Sequence, residues 1–142
     1  MNTLFVILLC NSLLGQAGTV AFVTGETQES WQLSVIDIES GAVTPLGQGN
    51  RDSCPRWSPD GSCIAYQSQN RDGLGIYIAD VEGHTDFAIP HTHAWHEKPR
   101  WSPDGKRLAY SSEGDAAPLQ AIIVYDLETR EEAIWGGEHR GF

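Results

Sequence analysis

Short runs of apolar and β-branched residues alternate along this chain with clusters of turn-forming residues, and no stretch keeps a helical spacing. Val20-Ala21-Phe22-Val23-Thr24, Ile64-Ala65-Tyr66-Gln67-Ser68 and Leu108-Ala109-Tyr110-Ser111-Ser112 are three such runs, set 44 residues apart. Each is followed by a second run, Leu33-Ser34-Val35-Ile36-Asp37, Ile76-Tyr77-Ile78-Ala79-Asp80 and Ile122-Ile123-Val124-Tyr125-Asp126, and all three end on Asp. A polar turn then leads to a short outer strand near 43–46, 86–89 and 132–135, so the unit reads as an antiparallel meander of short strands.

Upstream of two of these units stands a longer signature. Pro55-Arg56-Trp57-Ser58-Pro59-Asp60-Gly61 recurs as Pro99-Arg100-Trp101-Ser102-Pro103-Asp104-Gly105, again at a period of 44. Ser-Pro-Asp-Gly is turn chemistry: Pro presets φ, Asp bonds back to the backbone, and Gly accepts positive φ. The turn joins an inner strand carrying Trp57 or Trp101 to its antiparallel neighbour, and a plain hairpin register places Cys63 opposite Trp57. The two indoles are expected to be buried between adjacent sheets, with Ala65 and Ala109 leaving room for the facing sheet. Asp37, Asp80 and Asp126 are expected to form turns rather than to act as acids or bases.

A period of 44 with four short strands fits a propeller blade, for which repeats of about 40–50 residues are usual. The fold class is therefore all-β, a partial β-propeller of about three four-stranded blades: blade 1 over 18–49, blade 2 over 50–93, blade 3 over 94–137, and 138–142 opening the next connection. Blade 1 is expected to lack its inner strand, because no motif copy precedes Val20. The motif, the apolar-Ala-Tyr strand and Ile76-Tyr77-Ile78-Ala79-Asp80 resemble the TolB-type propeller repeat, a relative of WD-type blades, from Thr19 to Trp135. The same repeat occurs in the propellers of prolyl-oligopeptidase-like and tricorn-like proteases. TolB itself carries an α/β domain before its propeller, which this chain does not place between its first residues and blade 1.

The first residues form a different kind of segment. An uncharged apolar run over 4–14 is followed by Gly15, Gln16, Ala17 and Gly18, the pattern of a secretory signal peptide spanning 1–17 with cleavage after Ala17, although it has no basic n-region. It is too short for a membrane span of about 20 residues, and no other segment would cross a membrane. Cys10 as a lipid-attachment site fits less well, since bulky Leu9 precedes it. Export to the periplasm or beyond would permit a disulfide between Cys54 and Cys63, but simple register does not bring them together.

The chain has 142 residues, 40% apolar, enough for an ordinary core. Nineteen acidic against nine basic side chains give a net charge of −10, which argues against nucleic acid as a partner. The charge is spread without long runs; it suits solubility or a basic protein partner.

Three imidazoles, His91, His93 and His96, with Glu97 beside them, fall on the connection into the second motif copy. Such spacing is compatible with zinc, and TolB-like polysaccharide lyases have His-lined metal sites drawn from several blades; a polar loop near the channel is the alternative. No nucleophile with an activating base and no Gly-X-Ser-X-Gly elbow is present. No catalytic, cofactor or metal residue is therefore assigned.

Three blades fall short of a ring of four to eight, and the spacing places the next motif Trp at about 145, so the chain is expected to be the N-terminal part of a longer protein. Open blade edges would favour self-association. The resemblance implies an exported, non-catalytic propeller that binds protein partners in the cell envelope. The alternative is the propeller of a secreted prolyl-oligopeptidase-like serine peptidase whose catalytic domain lies elsewhere.

Overall fold

The computed structural model describes residues 5–7, 18–70, 73–82, 86–90, 95–113 and 121–135. Twelve strands account for most of them. The first sheet holds β1 (Phe5–Ile7), β2 (Thr19–Gly25), β3 (Gln32–Asp37) and β4 (Val43–Pro45), in that order and antiparallel throughout. The second holds β5 (Ser53–Trp57), β6 (Cys63–Asn70), β7 (Gly73–Asp80) and β8 (Asp86–Ala88). The third holds β9 (Trp95–Trp101), β10 (Arg107–Glu113), β11 (Ala121–Asp126) and β12 (Glu132–Trp135). A single parallel pair, Leu74 with Trp95, links the second and third sheets.

The partial all-β propeller is thus what forms, with an amendment to the first blade. Its inner position, expected to be vacant, is filled by Phe5–Ile7, whose backbone pairs with Val23–Gly25. A short apolar run has strand propensity as well as leader character, and the open edge of β2 supplies the hydrogen-bonding partner.

Period-two alternation puts apolar residues on both faces of each sheet, and two cores result. Between sheets 1 and 2, Ala21, Val23, Leu33, Val35 and Leu46 meet Trp57, Ile64, Tyr66, Tyr77 and Ala79. Between sheets 2 and 3, Ala65, Ile76, Ile78 and Ile89 meet Leu108, Tyr110, Ile123 and Tyr125, with half-buried Trp101 against them. Each sheet therefore has a forward face and a rear face. Of the two alanines expected to leave room for a facing sheet, Ala65 lies on the forward face of sheet 2 in the same core as Trp101, whereas Ala109 is in neither core; Ala21 takes the equivalent place in the core with Trp57.

The inner-strand register differs from the plain hairpin. Trp57 pairs with Ile64, and the Ser58 N–H bonds to the Cys63 carbonyl at 2.8 Å, so Cys63 lies opposite Ser58 rather than Trp57. The turn sets this register, since its four residues 59–62 close on the Ser58–Cys63 pair; a bulge lies further along, where Ser53 pairs with Gln67 while Arg56 pairs with Ala65, leaving one extra residue on β5. Cys54 takes up the excess at φ 51°, and Lys98, one period later, does so at φ 57° beside the corresponding break between β9 and β10. Cys54 and Cys63 are both free thiols.

Candidate functional site

The two motif turns are built alike. In the first, the Ser58 hydroxyl donates to Asp60 Oδ1 at 2.6 Å and accepts from the Cys63 N–H at 3.0 Å. The Ser62 N–H also donates to Asp60 Oδ1, and Gly61 sits at φ 73° with its N–H on the Ser58 carbonyl. In the second, Ser102 Oγ donates to Asp104 Oδ1 at 2.5 Å, the Arg107 N–H donates to Ser102 Oγ, and the Lys106 N–H donates to Asp104 Oδ1. The serine hydroxyl first, then the backbone N–H groups, hold both carboxyls below the usual carboxylate range. These aspartates are occupied in shaping the turn.

The strand-end aspartates are turn formers too. Asp37 Oδ1 accepts from the N–H and hydroxyl of Ser40, Asp80 Oδ1 from the Glu82 N–H, and Asp126 Oδ1 from the N–H groups of Glu128 and Thr129. Arg107 also pairs with Asp126 Oδ2 at 3.1 Å.

A buried carboxylate joins the first two sheets. Asp52 is fully enclosed, and its Oδ2 accepts from the N–H of Leu33 at 2.9 Å and of Gly49 at 3.0 Å. The Ser68 hydroxyl donates to Oδ1 at 2.6 Å, and the Asp52 N–H bonds to the Trp31 carbonyl. Gly47 is required beside it, since a Cβ there would run into the Asp52 carboxylate and come within 2.9 Å of Leu33 Cβ. Nothing in the motif marked Asp52; besides nearby Gly49, its partners Ser68 and Leu33 lie 16 and 19 residues away.

One period after Asp52 stands His96. The sequence placed it on a connecting loop, but it is a strand residue on β9, paired with Ser112 and 1% exposed. Its ring meets Tyr110 edge-on at 5.0 Å. The inner strand extends back to Trp95 because β10 offers it partners as far as Glu113. His91 and His93 lie outside the described residues. Among the described residues no group of three His, Cys, Asp or Glu side chains is placed to hold a metal.

Two open grooves run between the turns at one end of the blades. One, of about 480 Å³, has Asp60 and Asp104 on its walls and Trp101, Ile78 and Leu127 below. The other, of about 500 Å³, is lined by Thr19, Asp60, Asp80 and Glu82. Both are shallow and acidic, suited to basic side chains or backbone N–H groups of a partner rather than to an enclosed small molecule.

The match of the whole blade array decides the family: the model of the TolB beta propeller domain fits residues 7–134. The chain belongs to the TolB β-propeller domain family. Among solved structures, it resembles a TolB protein from Agrobacterium tumefaciens, with TM-score 0.71 and 21% identity over 86% of this chain and 46% of that one. TolB from Acinetobacter baumannii aligns with TM-score 0.64 and 25% identity, over 87% of this chain and 32% of the other. An acylaminoacyl peptidase from Pyrococcus horikoshii aligns with TM-score 0.65 and 17% identity, over 92% and 25%. This TolB-family chain thus spans less than half the length of each. Among curated proteins none matches it. No helix among its described residues is long and apolar enough to cross a membrane.

Proposed function

We propose that this TolB-family chain is an exported, non-catalytic propeller module that works by binding protein partners in the cell envelope. The observation that carries this reading is the family match across nearly all of the blades. The use of the motif's polar groups supports it: Ser58, Asp60, Ser102, Asp104 and Asp126 are engaged in turns, leaving an acidic grooved end suited to basic partner side chains. Residues 1–17 would act as the leader, and their removal after Ala17 would vacate the inner position of blade 1.

Two experiments test this function. Residues 1–17 fused to an alkaline phosphatase without its own leader should give periplasmic activity; reporter retained inactive in the cytoplasm contradicts export. A photo-crosslinker at Glu82, on the groove rim, should give discrete protein adducts that fade as salt rises. Adducts no different from those at a position far from the grooves contradict partner binding there.

A second reading is favoured by the likeness to the acylaminoacyl peptidase, of which this chain covers 25%. In it the blades would gate a secreted serine peptidase. Coding sequence past residue 142 discriminates: an α/β-hydrolase segment with Gly-X-Ser-X-Gly supports gating, and further blades alone support the interaction module.

A further inference from the structure

The groove between the two motif turns differs from its neighbour in what lies beneath the charges. Trp101, Ile78 and Leu127 form its base, and Pro59 and Pro103 stand beside Asp60 and Asp104 on its walls. The lining of the other groove includes neither an aromatic ring nor a proline. The base is apolar in effect as well as in composition. The Trp101 N–H is spent on the main-chain oxygen of Arg56, so the half-buried indole brings no donor to the groove.

The repeat sets the two carboxylates around this base. The turns approach closely, since a Cβ added at Gly105 would lie 3.6 Å from Pro59 Cδ, and each turn contributes its Asp to the same opening. Both aspartates are exposed. Asp60 Oδ1 accepts from the Ser58 and Ser62 hydroxyls and the Ser62 N–H, and at Asp104 the turn uses Oδ1 alone. The nearest cations of the chain are engaged elsewhere: Lys106 sits on Glu128 and Arg107 on Asp126, although Arg107 adds a small pull on Asp104.

Resting on the reading of this end as a partner-binding surface, we infer that this groove is a subsite for an arginine side chain of the partner. The arginine lays its methylene stem on Trp101, Leu127 and the prolines and brings its guanidinium to Asp60 and Asp104. Lysine fits less well. Its ammonium is a compact, strongly hydrated charge, whereas the planar guanidinium sheds water readily, tolerates contact with ring carbons and spreads its donors over two carboxylates. The neighbouring groove offers charge without the ring, and so attracts cations without choosing between them.

The probes that test this are N-acetyl-arginine amide, the matching lysine amide and the neutral isostere N-acetyl-citrulline amide, titrated into the full 142-residue chain. The readout is the Trp101 indole N–H resonance, assigned by its loss in Trp101→Phe. Arginine amide should shift it saturably in the millimolar range, with lysine amide about 3-fold weaker and citrulline amide about 5-fold weaker. Asp104→Asn and Asp60→Asn should each lower the arginine affinity about 5-fold. Asn keeps the oxygen acceptor that the turn uses, circular dichroism checks the fold, and the two variants lie in separate turns, so one can stand in for the other. An absent arginine shift overturns the inference, as do equal affinities for citrulline or lysine amide, or wild-type affinity in either folded variant. Adducts at Glu82 are read separately. Adducts without arginine binding remove this subsite and leave partner binding standing, whereas arginine binding without adducts does the reverse.

Discussion

The indole N–H of Trp101 donates to the main-chain oxygen of Arg56 at 3.0 Å, across the boundary between sheets 2 and 3. The repeat therefore does more than supply a bulky side chain: the Trp of one motif copy is tied to the backbone of the preceding copy. Trp101→Phe keeps most of the apolar area but leaves the Arg56 carbonyl without this donor. A loss of about 1–2 kcal/mol in urea unfolding is expected, and an unchanged midpoint would show the bond to be inconsequential.

The Asp52 clasp gives a larger effect. Asp52→Ala strips the acceptor from the N–H groups of Leu33 and Gly49 and from the Ser68 hydroxyl, so a loss of about 3 kcal/mol or more is expected. Gly47→Ala should cost about 2 kcal/mol or more without removing any polar group, because the new methyl occupies the carboxylate's place. Wild-type denaturation profiles for both variants would contradict the geometry of the clasp.

Acid should weaken the turns. Hydrogen bonds from Ser58, Ser102 and Ser40, and from the Thr129 N–H, lower the carboxyls of Asp60, Asp104, Asp37 and Asp126 in the folded chain. Unfolded carboxyls bind protons first as pH falls, so this stability is complete above about pH 4 and is lost as pH drops through the lower folded values. The melting temperature should fall from pH 5 to pH 2.5. Asp60→Asn should flatten that slope, and an identical slope in the variant would exclude Asp60 from the effect.

The bulge residues offer a stabilising test. Lys98 holds φ 57°, which costs an L-residue about 1–2 kcal/mol in the left-handed region. Lys98→Gly removes that cost, less the extra entropy of the unfolded glycine, and should raise stability by about 0.5 kcal/mol. The same change at Arg100, one pair further along the strand, should destabilise.

Much of the architecture was legible because it is written locally. The Ser-Pro-Asp-Gly turns, the strand-end aspartates and the Trp positions each rest on chemistry within a few residues, and the 44-residue period carries one blade's assignment to the next. The bulges were not legible, because Cys54 and Lys98 take positive φ with no glycine to mark them, and Cys63 sits one residue from its expected partner because the four-residue turn closes on the Ser58–Cys63 pair. The Asp52 clasp was missed because Leu33 and Ser68, two of its partners, are distant in sequence, and His96 was given to a loop because polar spacing hides a strand fixed by its neighbour β10. Phe5–Ile7 fits a leader and an inner strand equally by composition; only the open edge of β2 distinguishes the second role.

Photo-crosslinking from Glu82, on the rim of the groove lined by Asp60 and Asp80, tests most directly the claim that the acidic end of the blades binds protein partners. Discrete protein adducts that fade as salt rises are the predicted result. Adducts no different from those at a position far from the grooves would contradict it.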